Sequence, residues 1–128
     1  MVRFLKSTIE NADAMAKQAQ KAGLSADAFT ALAYAGQLAN VSQEQLVTSA
    51  KGLAQWLEKT GQVGKDFRDA LLEQADVFAA MPDGLEKVRL AQARFGRAWQ
   101  DLIPLLNQGS QAIREQMREA ELFGAVIG

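Results

Sequence analysis

The side chains that could do acid–base chemistry are concentrated in one segment. Four carboxylates follow one another there at intervals of three, four and three residues: Asp66, Asp69, Glu73 and Asp76. Two carboxylates hydrolyse a glycosidic bond only when they flank it across a cleft. At these intervals all four lie along one face of a helix, where they cannot surround a substrate. We therefore expect an acidic, solvent-exposed face opposite Phe67, Leu71 and Phe78.

Other catalytic and metal-binding groups are missing from the sequence. It contains no Cys and no His, which excludes thiolate nucleophiles, Ser-His-Asp triads and metal sites built on imidazole or thiolate. The segment Gly61-Gln-Val-Gly64 is followed by Lys65 and Asp66, so it matches neither a dinucleotide fingerprint nor a phosphate loop. We expect no enzymatic activity, no metal and no cofactor.

A second group of side chains could bind nucleic acid. Residues 85–118 carry six basic and three acidic side chains, although the whole chain has a net charge of −1. Within this segment Lys87, Arg94 and Arg97 are spaced seven and three residues apart and can share one helical face. These three are the candidate DNA contacts. A solvated helix face is the commoner explanation of such a charge pattern.

The elements that must position these groups are helical. Ala contributes 23 residues and Gln 13, while β-branched residues are few, and this composition favours helices over strands. Ser25 is a candidate N-cap, and Ser42 with Gln45 forms a capping-box pattern. We predict an all-α fold of about six or seven short helices in a compact helical domain. They are predicted within residues 5–22, 25–40, 42–60, 67–81, 83–95, 98–106 and 110–123.

Local signals in the second half of the chain predict three details. Asp83 and Glu86 repeat the capping-box spacing, which predicts that the fifth helix begins there with Leu85 facing inward. Pro104 predicts a kink or a fresh start in the sixth helix. Ser110 is the candidate cap of the last helix.

The N-terminal segment allows two interpretations. Apolar residues recur there at 4-3-4-3 spacing: Leu5, Ile9, Ala12, Ala16 and Ala19. The N-terminal helix, residues 1–22, either packs on the helical domain of residues 23–128 or continues an upstream coiled coil. No signal peptide and no run of about 18 apolar residues is visible.

The aromatic residues are predicted to serve mainly in packing. Trp56 and Trp99 are candidate core anchors, and Trp99 is the better candidate for an exposed contact because it follows Arg97 and precedes Pro104. Tyr34, the single tyrosine, lies among alanines, so its ring is expected to pack while its hydroxyl reaches an edge.

Two segments carry a resemblance to a known family. Residues 82–128 contain a Phe95-Gly96-Arg97 turn, the run Leu102-Ile-Pro104-Leu105-Leu106-Asn107-Gln108-Gly109-Ser110, and a last helix that leads to Gly-Ala-Val-Ile. Residues 24–46 contain a Leu-Ala-Tyr-Ala middle and a Val-Ser before the next helix. Both segments resemble, in the same order, the tail length tape measure proteins of long-tailed bacteriophages and prophages. The centre of the chain is a looser match.

The resemblance implies a structural role. Tape measure proteins occupy the tail tube, set its length during assembly and leave with the genome at infection. It further implies a homo-oligomer, tail tube and tail assembly chaperone proteins as partners, and a location in the virion or in the host cytoplasm during assembly. Family members are several times longer, so we expect this chain to be either a fragment of such a protein or the product of a decayed prophage gene. Trp99 departs from the family, where a small residue is expected.

The shared motif makes physical sense as a conformational element. Gly96 permits a left-handed cap and Pro104 is expected to fix a turn. Three leucines are expected to form an apolar plug: Leu102, Leu105 and Leu106. Asn107 and Ser110 are expected to form hydrogen bonds with the backbone groups left free where the helix is interrupted. A DNA-binding module acting in the tail lumen through the basic face of residues 87–97 remains the alternative function.

Overall fold

The computed structural model describes residues 12–62 and 64–127, and the side chains of residues 16–62 and 64–123. These residues form seven α-helices and no strand, which confirms the all-α prediction. The helices are α1 (Ala12–Ala22), α2 (Ala26–Leu38), α3 (Gln43–Lys59), α4 (Phe67–Ala80), α5 (Leu85–Phe95), α6 (Trp99–Leu106) and α7 (Gly109–Ile127). A 3-10 turn, Gly96–Ala98, joins α5 to α6.

Side-chain caps start three of these helices. The Ser25 hydroxyl accepts a hydrogen bond from the backbone N–H of Ala28. At α3 the predicted capping box is confirmed, because Ser42 accepts from the Gln45 N–H and the Gln45 side chain accepts from the Ser42 N–H. Asp66 starts α4 by accepting from the Asp69 N–H at 2.8 Å. Local polar groups therefore set where the first half of the chain becomes helical.

Three local predictions in the second half of the chain are wrong. Helix α5 is preceded by Gly84 without a side-chain cap, because Asp83 instead accepts a hydrogen bond from Lys87 Nζ. Leu85 is 77% exposed rather than inward-facing. Pro104 lies inside α6 and starts no new helix; both Pro104 and Gln100, whose carbonyl has no N–H donor at position 104, are exposed.

Helix α7 also differs at both ends from its predicted limits. It begins at Gly109, and it continues through the expected stop at Gly124 as far as Ile127. At the N-terminal end of the chain, Ala16 of the predicted apolar stripe is exposed. The inner face of α1 is formed by Ala19 and Ala22, through which it packs on α2 and α3. Leu5 and Ile9 lie outside the described residues, as does the proposed upstream coiled coil.

The core lies where the first and second halves of the chain meet. Helix α7 packs on α2 and α4, and α3 packs on α5 and on the 3-10 turn. Phe78 of α4 and Phe95 of α5 meet edge to face, with ring centroids 5.9 Å apart. The large side chains that are fully buried come from both halves: Phe29, Leu32, Tyr34, Leu46, Leu53, Leu71, Phe78, Phe95, Leu102, Leu105, Leu106 and Ile113.

Gly52 of helix α3 lies against the backbone of Phe95 and Gly96, where α5 ends. A Cβ atom built on Gly52 would lie 2.7 Å from the Phe95 carbonyl carbon, 2.8 Å from its oxygen and 3.0 Å from the Gly96 nitrogen. Real Cβ atoms do not approach backbone this closely. Gly52 is therefore required for the contact between α3 and the turn that ends α5, although glycine inside a helix costs about 1 kcal/mol relative to alanine.

We predict that Gly52→Ala lowers the free energy of unfolding by about 1–3 kcal/mol, because the added methyl group must push α3 away from the Phe95–Gly96 backbone. Helix propensity alone predicts the opposite sign. Urea denaturation checks this, with Lys51→Ala as the matched control on the exposed side of the same helix. That variant should change stability by no more than about 0.5 kcal/mol. A Gly52→Ala protein more stable than wild type would contradict the packing argument.

Candidate functional site

The run from Leu102 to Ser110 is anchored inside the protein. Leu102, Leu105 and Leu106 have no solvent exposure, as expected for an apolar plug. Asn107 is exposed, and its backbone N–H donates to the Ile103 carbonyl at the end of α6. Gln108 accepts a hydrogen bond from the side chain of Gln116 in α7 at 2.7 Å. The motif thus contacts its own helices rather than surrounding an open cavity.

Gly109 and Ser110 attach the start of α7 to α4. The backbone N–H and the hydroxyl of Ser110 both donate to the carboxylate of Asp76, each at 2.8 Å. Gly109 has a φ of +83°, a left-handed conformation that glycine adopts without strain. Ser110 was predicted to cap its own helix. It is Asp76 that satisfies the free N–H at this helix start, from 34 residues away.

The predicted acidic face is solvent-exposed, since Asp69, Glu73 and Asp76 are exposed and Asp66 is half-buried, and three of its carboxylates also make specific contacts. Asp66 caps its own helix, and Glu73 forms an ion pair with Lys65 at 2.6 Å. Asp76 has the most specific role. The Ser110 N–H, then the Ser110 hydroxyl, then the positive charge of Arg114 hold the pKa of the Asp76 carboxyl below its usual range. These hydrogen bonds and charges stabilise the ionised form.

The turn at Phe95-Gly96-Arg97 orients one side chain inward and one outward. Phe95 is fully buried, whereas Arg97 is exposed. Gly96 has a φ of +64°, and its N–H donates to the Gln92 carbonyl as α5 ends. The positive φ expected at Gly96 is present, but its ψ of −140° differs from that of a left-handed helical cap.

The three candidate DNA contacts do not form one exposed face. Lys87 is only 4% exposed, and its Nζ donates to Asp83 Oδ1 at 3.2 Å and to the Met81 carbonyl at 3.3 Å. Arg94 is half-buried, and only Arg97 is exposed to solvent. The spacing of seven and three residues was misleading, because α5 ends at Phe95 and Arg97 follows in a turn of different geometry.

Arg94 belongs to a cluster that the sequence analysis missed. Its guanidinium carbon lies 4.5 Å from the centre of the Trp56 ring and 6.0 Å from that of Phe78. Arg94 Nη1 donates a hydrogen bond to the Gln74 side chain, which is buried. The available signal was Gln74, a polar residue at a core-facing position of α4. Trp99, the other large aromatic residue, is half-buried and packs against the core.

Tyr34 links the second helix to the last one. Its hydroxyl donates to Glu119 Oε1 at 2.8 Å, as expected for a packed ring whose hydroxyl reaches an edge. Burial raises the pKa of Tyr34 to about 12, and the hydrogen bond to the negatively charged Glu119 acts in the same direction. The contact joins residues 85 positions apart in the chain.

Two surface depressions among the described residues do not gather catalytic groups. One of about 220 Å³ is lined mainly by alanines and leucines of α1 and α3, and its polar residues are engaged, since Lys65 pairs with Glu73 and Asp66 caps α4. Another of about 370 Å³ includes Ser42, which belongs to the capping box. Within residues 12–62 and 64–127, no group of three or more carboxylates could hold a metal ion.

Comparison with protein-family models, with curated proteins and with solved structures finds no match to this chain. Its functional interpretation therefore depends on its own residues. None of the helices in the described part of the chain is long and apolar enough to cross a membrane.

We predict that Asp76 makes stability depend on pH in the acid range. Because its folded-state pKa is lowered, its contribution is present above the unfolded carboxyl pKa of about 4 and is lost as pH falls through the folded-state value. Urea denaturation of wild type and Asp76→Asn should differ most near neutral pH and converge in acid. The control Asp101→Asn removes an equal charge from an exposed residue. A difference for Asp76→Asn that is independent of pH would contradict this role.

We predict that Tyr34 ionises well above the ordinary tyrosine pKa of about 10, near 12. Its raised pKa adds stability that is fully present below about pH 10 and is lost as pH rises through the folded-state value. Phenolate absorbance measures this directly, since the chain has one tyrosine. In Glu119→Gln the transition should move towards lower pH but stay above that of free tyrosine. A wild-type transition at the ordinary pKa would show that Tyr34 is not held by Glu119.

Proposed function

We propose that this chain is a helical scaffolding segment of a phage tail tape measure protein and acts in tail assembly and length determination without catalysis. The observation that carries the proposal is the packing of its two family-like segments on each other. Helix α2 lies in residues 24–46, α7 lies in residues 82–128, and the two helices pack together. Tyr34 of the Leu-Ala-Tyr-Ala motif donates to Glu119 across this contact.

The use of the motif residues also supports a structural role. The leucines of the Leu102–Ser110 run are buried, Ser110 is bonded to Asp76, and Phe95 is in the core. A ligand-binding motif would instead direct polar groups into a cavity. Here the residues that carry the resemblance hold helices against one another.

The alternative of a DNA-binding module has weaker support. Nucleic acid binding requires cations along a path that follows the phosphates. Lys87 and Arg94 are engaged within the protein, which leaves Arg97 as the exposed member of the expected face. We therefore favour protein–protein contacts, with further copies of the chain, tail tube proteins and tail assembly chaperones as the proposed partners. The proposed location is the virion tail, or the host cytoplasm during assembly.

The proposal is tested in the phage or prophage that encodes the chain. We expect peptides of the chain in purified tails by mass spectrometry. Leu105→Asp places a charge in the core, so it should abolish tails of normal length in electron micrographs while heads still form. Gln111→Ala, at an exposed position of α7, is the matched control and should assemble normally. Tails that lack the chain, together with normal tails after its in-frame deletion, would refute the proposal.

A further inference from the structure

Arg94 is a half-buried cation without an acidic partner in the described part of the chain. Ion pairs there join Lys65 to Glu73, Arg68 to Asp69, and Lys87 to Asp83, and none of them includes Arg94. Its hydrogen-bond partner is the uncharged Gln74. A charge that is shielded from water and has no opposite charge beside it is costly.

The three guanidinium nitrogens of Arg94 differ in hydrogen bonding and in burial. Nη1 donates to Gln74, and Nε is buried without a hydrogen-bond partner among the described residues. Nη2 makes no hydrogen bond among the described residues and, unlike Nε, is not fully buried. Burial lowers the pKa of Arg94, as expected where little water solvates the charge. The Trp56 ring, 4.5 Å away, keeps the guanidinium in place.

We propose that Arg94, Trp56 and Gln74 form a docking site for the carboxylate side chain of a partner protein. A carboxylate accepts strong, charge-assisted hydrogen bonds from a guanidinium. The half-buried Trp56 ring offers an apolar surface to the methylene groups of a glutamate. Binding would supply the missing negative charge and an acceptor for Nη2, while Nε stays buried.

The surroundings favour a carboxylate over nucleic acid. A phosphate backbone is recognised by a row of cations, whereas Arg94 is a single fixed charge among Trp56, Gln74 and Phe78. Lys87, about two turns before Arg94 on the same helix, is already paired with Asp83. One fixed cation fits one negatively charged side chain. This inference is independent of the proposed tail function.

The test is NMR of the full chain labelled with ¹⁵N, which follows the Nε–Hε signal of Arg94 directly. We expect a saturable shift with the peptide acetyl-Ala-Glu-Ala-amide, and none with acetyl-Ala-Gln-Ala-amide or with sodium chloride at equal ionic strength. Sodium acetate should bind more weakly than the glutamate peptide, because it lacks the methylene groups that contact Trp56. The Arg97 signal is the internal control and should not saturate.

The variant Arg94→Gln supplies a second readout through the indole N–H signal of Trp56, with Trp99 as its control. The glutamate peptide should shift the Trp56 signal in wild type and leave it unchanged in the variant. The wild-type titration decides the question even if the variant does not fold. Equal shifts with the Glu and Gln peptides, acetate binding as tight as that of the Glu peptide, or a response of Arg94 to duplex DNA alone would each overturn the proposal.

Discussion

A helix backbone and a turn meet in this protein with no side chain between them. Gly52 of α3 lies against the carbonyl of Phe95 and the nitrogen of Gly96, at distances that a Cβ atom cannot occupy. This contact fixes the point where α5 ends and the chain turns into α6. The Phe95 ring packs edge to face on the Phe78 ring. The leucines of α6 are buried beside the turn. The packing of α3 against the turn between α5 and α6 thus requires glycine at position 52.

Polar contacts between distant helices complete this arrangement. Asp76 of α4 holds the start of α7 through Ser110, and Tyr34 of α2 holds its middle through Glu119. In both contacts a hydroxyl donates to the carboxylate of an exposed residue on the neighbouring helix. The apolar stripe of α7 determines which face is buried, and these two bonds determine its register along α2 and α4.

The sequence predicted those features that depend on neighbouring residues. The all-α class, the caps at Ser25 and Ser42, and the positive φ of Gly96 at the end of α5 follow from local signals. Predictions failed where another partner, distant in the chain or one helical turn away, competes for the same group. Ser110 donates to Asp76 instead of capping its own helix. At the start of α5, Asp83 accepts from Lys87 instead of forming a capping box.

The candidate sites were harder to predict than the helices. The basic face was inferred from helical spacing, but Lys87 is buried and Arg94 lies on Trp56. Neither the role of Gly52 nor the cluster at Gln74 has a local signature, because each arises from contacts between different helices. A single sequence without structure specifies helix faces and leaves open which faces meet.

The contact between Tyr34 and Glu119 has a consequence for protein synthesis. The two residues are 85 positions apart, and chains are elongated at about 5–20 residues per second, so the second partner follows the first by roughly 4–17 s. During that interval α2 has left the ribosome before α7 exists to cover it. The face of α2 that packs on α7, which includes Tyr34, is then open to water or to a chaperone, and this part of the core is completed only when α7 has been made.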